Sequence, residues 1–172
     1  MREPNEVENL LGQMAQQVKE RLLSIGNGAA GDDILMIGIH SGGVWIAKRL
    51  HQLLGLSQPL GNLDISFYRD DFSRIGMNPQ VKPSQLPVSV DAKHILLVDD
   101  ILHTGRTIRA AMNEIFDYGR PASITLIVLG ERTGRELPIQ PDIVGKHLNL
   151  TSGQHVKLSG PDTLTLTVME SS

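Results

Sequence analysis

Short unbroken apolar runs, each fenced by turn residues and separated by helix-patterned segments, constrain this chain more than any other feature. Ile34-Leu35-Met36-Ile37 and Ile95-Leu96-Leu97-Val98 are the clearest, and residues 63–68 and 123–129 read as two further strands. A strand with one wet face alternates apolar and polar residues, whereas a continuous run fits a strand buried on both faces. Such strands are parallel, and parallel neighbours need a crossover between them. Helical segments for the crossovers are present, with one more ahead of the first strand. Residues 6–25 place Val7, Leu10, Leu11, Met14, Val18, Leu22 and Ile25 at helical spacing. A second helix carries Val44, Ala47, Leu50 and Leu54, and residues 107–118 carry Ile108, Ala111, Met112 and Ile115. The alternation predicts an α/β fold: a mostly parallel twisted sheet with helices on both faces. The tail differs. Residues 155–158 and 163–168 flank Ser159-Gly160-Pro161-Asp162, which reads as a C-terminal β-hairpin.

A length of 172 residues suits one domain, taken as 1–172. The 40% hydrophobic content argues against wholesale disorder. The chain has no cysteine, so disulfides, thiolate metal sites and a cysteine nucleophile are excluded. No apolar run is long enough for a membrane span, and the polar, acidic N-terminus lacks a signal-peptide core, so the expectation is a cytoplasmic protein without a membrane partner. The net charge of −3 gives no whole-molecule attraction to nucleic acid. Residues 69–93, interrupted by Pro79, Pro83 and Pro87, are irregular and are expected to form a flexible lid.

The sharpest chemical signal follows the run at 95–98. Asp99 and Asp100 end it, and Ile101-Leu102-His103-Thr104-Gly105-Arg106-Thr107 leads into a helix. In open α/β sheets, ligands bind beyond the carboxyl ends of the strands. Backbone N–H groups of 103–107, with the hydroxyls of Thr104 and Thr107, suit a phosphate at a helix N-terminus. Two carboxylates beside a phosphate site are explained by a ribose, whose hydroxyls donate to them. The blander alternative is a capped helix with a glycine turn. Neither Gly-x-x-x-x-Gly-Lys-[Ser/Thr] nor Gly-x-Gly-x-x-Gly is present.

The 98–107 string resembles the phosphoribosyl-pyrophosphate signature of type I phosphoribosyltransferases. Tyr68-Arg69-Asp70-Asp71, Asp117-Tyr118-Gly119-Arg120-Pro121, Arg135-Glu136-Leu137-Pro138-Ile139 and Val144-Gly145-Lys146 stand in order around it. Together they resemble the pyrimidine operon attenuation regulator/uracil phosphoribosyltransferase family (PyrR), over nearly the whole chain.

That resemblance implies binding of phosphoribosyl pyrophosphate (PRPP) with Mg²⁺, and transfer of the phosphoribosyl group to uracil to give UMP. Asp99 and Asp100 would hold the ribose, and one of them could act as general acid or base or touch Mg²⁺; spacing does not say which. His103, Thr104, Gly105, Arg106 and Thr107 would hold the 5-phosphate. The turn at 38–43, including His40, Ser41, Gly42 and Gly43, would hold pyrophosphate. Arg69, Asp70 and Arg74 belong to the lid, where the arginines are phosphate contacts or solvated surface charges. Residues 131–150 would form a hood over the base, with Ile143, Val144 and Lys146 at the pyrimidine pocket; Ile143 and Val144 read equally well as core. A homodimer or higher homo-oligomer is expected.

Three departures matter. Gly42 stands where catalytic relatives carry an arginine, which deletes a charge-assisted phosphate contact. His103 and Ile143 stand where tyrosine is frequent. The first helix has Glu8, Asn9, Gly12, Gln13 and Gln16 at positions where RNA-binding relatives are basic or polar, keeping Arg21. RNA as a partner therefore rests on a patch drawn from Lys19, Arg21, Lys48, Arg49, Arg132 and Arg135, with few aromatics to stack bases. Three functions fit the residues: a uracil phosphoribosyltransferase, a UMP or PRPP sensor acting through RNA or protein, and a transferase for another base such as a purine.

Overall fold

The computed structural model describes residues 6–25, 31–65 and 84–171. Their elements are α1 (Glu6–Ser24), β1 (Ile34–Ile39), α2 (Gly42–Leu54), β2 (Gly61–Leu63), β3 (His94–Leu102), α3 (Arg106–Tyr118), β4 (Ser123–Arg132), β5 (Ile143–Leu148), β6 (Gln154–Ser159) and β7 (Thr165–Glu170). Strands β2-β1-β3-β4-β5 form one sheet, and every pairing in it is parallel. The unbroken apolar runs become its centre: all six residues of β1 are buried, as are Ile95, Leu96, Leu97 and Val98.

Two cores flank this sheet, which is why central strands are apolar on both faces. On one side, Leu11, Met14 and Val18 of α1 and Ile46, Ala47 and Leu50 of α2 meet Met36, Leu96, Val98, Ile127 and Leu129. On the other, Ile108, Ala111 and Ile115 of α3 meet Leu35, Ile37, Leu97 and Val128. Helices thus cover both faces, as the alternation predicted. Strands β6 and β7 pair antiparallel as a separate hairpin, whose Leu158, Leu164 and Leu166 enter the α1/α2 core.

Several boundaries differ from the sequence reading. The strand expected at 63–68 is observed earlier and shorter, at Gly61–Leu63, and 66–68 lie outside the described residues. Asn62 there exchanges two backbone hydrogen bonds with Gln85, at 2.8 and 2.9 Å. The lid expected at 69–93 falls mostly on 69–83, outside the described residues; its remainder is attached to the body, with Val90 buried. Strand β3 does not end at the acids, as the sequence suggested, but runs through them to Leu102. Strand β5 adds a fifth member to the sheet from within the expected hood. Its Gly145, Lys146 and His147 break the apolar pattern because an edge strand is only half covered.

Candidate active site

The carboxyl edge of β3 organises the site. Asp99 is buried, and its Oδ1 accepts the Asp100 N–H at 2.8 Å; Asp100 Oδ1 in turn accepts the Ile101 N–H at 2.7 Å. Side-chain alternation slips here. Val98 and Ile101 both pack toward α1 and α2, although an odd separation should send them to opposite faces. The local carboxylate-to-backbone bonds satisfy N–H groups where the regular pattern fails.

Two glycines bring α2 onto this edge. A Cβ on Gly42 would sit 2.8 Å from Asp100 Cγ and 3.0 Å from its Cβ, so the acid lies directly over the first turn of α2. A Cβ on Gly43 would stand 2.6 Å from the Val98 carbonyl oxygen and 3.0 Å from Asp99 Cα. The first turn of α2 has no acidic residue, and Ser41 makes no side-chain cap. Its leading N–H groups have no acceptor within the helix, which gives this end positive character. The His40–Ser41 peptide is cis, and His40 Nε2 is 3.0 Å from Asn62 Oδ1, turned toward β2.

Helix α3 begins four residues after Leu102. Gly105 holds φ +95°, a left-handed conformation that glycine adopts freely. Thr104 Oγ1 accepts the Arg106 N–H at 3.2 Å, and α3 has no acidic residue in its first turn. Two helix N-termini therefore flank one acidic pair, and the expected residues 40–43, 99–100 and 103–107 meet at one edge of the sheet.

A crossing segment from β4 to β5 lies over the turn at 103–107. Thr104 C=O accepts N–H groups of Glu136 at 2.9 Å and Leu137 at 3.2 Å, and Arg106 Nε bonds Glu136 Oε1 at 2.7 Å. The positions of Leu137 and Ile139 leave a Cβ on Gly105 at 3.4–3.5 Å from them. His103 has its imidazole pKa lowered by loss of solvent, then by Arg132; Glu136 opposes this and Arg135 adds to it.

The base-side candidates separate. Ile143 is buried among the α1/α2 core residues. Val144 is half-buried and packs toward the α3 face. Lys146 Nζ bonds Glu6 Oε1 of α1 at 2.7 Å. Arg69, Asp70 and Arg74 lie outside the described residues. The sequence reading did not single out Glu131, which bonds Arg135. The only signal for it was an opposite charge four residues on, and that spacing marks neighbours on a helix, not at a strand end.

The acid pair suits Mg²⁺ brought by a substrate better than a protein-built metal site. Among the described residues no cluster of three or more His, Asp or Glu side chains could cage an ion. Magnesium commonly uses one or two carboxylates plus phosphate oxygens and water.

Residues 6–159 match the phosphoribosyl transferase domain family. The chain is 67% identical over 135 residues to the bifunctional protein PyrR of Nitrosococcus oceani, covering 77% of this chain and 76% of that one. It is 52% identical to the bifunctional protein PyrR of Pseudomonas paraeruginosa over 163 residues, covering 95% and 93%. Among solved structures, a hypoxanthine phosphoribosyltransferase of Trypanosoma cruzi superposes with a TM-score of 0.69 at 19% identity, covering 98% of this chain and 94% of that one. A hypoxanthine-guanine phosphoribosyltransferase of Bacillus anthracis gives 0.67 at 17% identity, covering 86% and 82%.

Proposed function

Since the chain belongs to the PyrR family, built on a phosphoribosyl transferase domain, we propose that it binds PRPP and UMP and transfers the phosphoribosyl group to uracil, and that this site informs a regulatory output on pyrimidine synthesis. The observation that carries the reading is Asp100 lying against the first turn of α2 while its own strand leads into α3. One acid pair thereby stands between two anion-seeking helix ends, which matches a ribose between a pyrophosphate and a 5-phosphate.

In this reading the N–H groups at Gly42 and Gly43 bind the pyrophosphate, with His40 and Ser41 completing the turn. The turn from His103 to Thr107 binds the 5-phosphate, and Asp99 and Asp100 accept from the ribose hydroxyls. The C1–oxygen bond to pyrophosphate breaks as the C1–nitrogen bond to uracil forms, and the uracil nitrogen passes its proton to Asp99 or Asp100 as general base. Positive charge grows on the ribose ring between these events, and the fixed carboxylates stabilise it. Asp99 or Asp100 would hold Mg²⁺ together with the substrate's phosphates, and the ion would neutralise charge on the leaving group. Val144 and Lys146 belong to the base side. Arg69, Asp70 and Arg74 belong to a lid that keeps water from the ribosyl cation.

A second reading is a weakly catalytic sensor. Gly42 favours it: the turn offers backbone donors only, without a guanidinium for the leaving pyrophosphate. Arg21 faces Asp142 at 3.3 Å, Arg49 faces Glu8 at 3.5 Å and Arg135 bonds Glu131, so three cations of the candidate RNA patch already hold carboxylates. The working assembly is a homo-oligomer, and the compartment is the cytoplasm.

The test mixes the protein with Mg²⁺, PRPP and labelled uracil. UMP forms, and Asp99→Asn/Asp100→Asn lowers its rate by about 10²-fold or more. No product together with thermal stabilisation by UMP supports the sensor. Product from hypoxanthine or guanine alone overturns uracil specificity, and no response to any phosphoribosyl compound overturns the whole reading.

A further inference from the structure

We infer that Arg135 and Glu131 form a clamp that positions the 103–107 turn against the end of β4, acting on a phosphate ligand only through that turn. Arg135 Nη1 donates to the His103 carbonyl at 2.7 Å and to the Arg132 carbonyl at 3.4 Å. Its Nη2 donates to Glu131 Oε1, and the second Glu131 oxygen is 3.2 Å from His147 Nδ1 on β5. One planar guanidinium therefore joins the first residue of the turn, the end of β4 and, through Glu131, the edge strand. Lysine has no fork with which to make these bonds together.

Burial separates this pair from its neighbour. The Arg135 and Glu131 side chains are 23% and 20% exposed, whereas Arg106 and Glu136 are 65% and 51% exposed. Exposed ion pairs contribute little, and charge-assisted hydrogen bonds shielded from water contribute more. The backbone bonds from Glu136 and Leu137 to Thr104 C=O fasten the next residue of the turn. The His103 ring closes against Gly134, where a Cβ would meet Nε2 at 2.8 Å. The Arg135 charge is thereby spent inside the protein, so this arginine is a positioning residue and not a contact for a free phosphate or an RNA backbone. A turn that binds phosphate through aimed N–H groups loses affinity when its orientation is loosened.

The inference rests on the phosphoribosyl reading for its effect on substrate, and its test keeps the two apart. Hydrogen exchange of the ligand-free full chain is measured for wild type, Arg135→Met, Arg135→Lys and Glu131→Gln. Amides of 103–107 exchange about tenfold faster in Arg135→Met, and Arg135→Lys does not restore them, while amides of 95–98 keep wild-type protection. Unchanged exchange in 103–107 overturns the clamp, whether or not the protein transfers a phosphoribosyl group. If Arg135→Met also loses protection at 95–98, the reading passes to Glu131→Gln, which keeps the arginine and its bond to His103. That variant must loosen 103–107 by a smaller factor, and wild-type exchange there overturns the clamp. In the transfer assay, Arg135→Met raises KM for PRPP about tenfold, with KM for uracil unchanged and kcat less affected. A loss confined to kcat overturns the positioning role. Absence of transfer in the wild type counts against the phosphoribosyl reading alone.

Discussion

Adding one methyl group at Gly43 tests the close approach on which the site is built. In Gly43→Ala the new Cβ would lie 2.6 Å from the Val98 carbonyl oxygen and 3.0 Å from Asp99 Cα, where ordinary contact begins at 3.4 Å. Both neighbours are backbone, and β3 is paired with β1 and β4 on either side, so neither can rotate away. The helix must lift instead. Overpacking of this kind costs about 1–3 kcal/mol, and rigid partners favour the upper half. For a domain of this size, 1 kcal/mol moves Tm by about 2–4 °C, so a fall of about 4–12 °C is expected. The control is Gly12→Ala in α1, where a Cβ would meet nothing within 4 Å. Removing glycine from a helix interior there should stabilise by about 0.5–1 kcal/mol and raise Tm. The assay is thermal and urea unfolding followed by circular dichroism at one protein concentration. KM for PRPP should rise in Gly43→Ala as the N–H groups of α2 withdraw from the acid pair. A Gly43→Ala protein that melts with the wild type refutes the contact between α2 and β3, and with it the pyrophosphate turn proposed for residues 40–43.

Asp142 ties the start of β5 to the rest: its Oδ2 accepts the Leu126 N–H at 2.8 Å and its Oδ1 faces Arg21 at 3.3 Å. Asp142→Ala should cost about 1–3 kcal/mol by stranding the half-buried N–H, whereas Asp142→Asn, which keeps an acceptor there, should cost under about 1 kcal/mol in urea unfolding. His103 should titrate below the ordinary histidine value of about 6.5, because desolvation and then Arg132 disfavour its charged form. The unfolded chain then binds the proton more readily, so the histidine's contribution is present above about pH 6.5 and is lost as pH falls through its folded value. An NMR titration reads this directly: Arg132→Gln should raise the His103 midpoint, and a midpoint above 6.5 in the wild type contradicts the environment described.

Much of this fold was legible because burial on both faces leaves a one-dimensional trace. The runs at 34–37, 95–98 and 123–129 became the central strands β1, β3 and β4, and the spaced apolar positions became α1, α2 and α3. Edge elements were harder. Strand β5 hides among Gly145, Lys146 and His147 because only its inner neighbours demand apolar residues, and β2 is just three residues long.

By itself the order of residues determined a parallel α/β sheet and an acid pair followed by a small-residue turn, since both arise from neighbours along the chain. Only the tertiary structure decided that Gly42 and Gly43 seat α2 against those acids, and that Arg135 holds the turn through a carbonyl 32 residues away. These are distances between segments remote in sequence, and they exist only once the two cores have closed around the sheet.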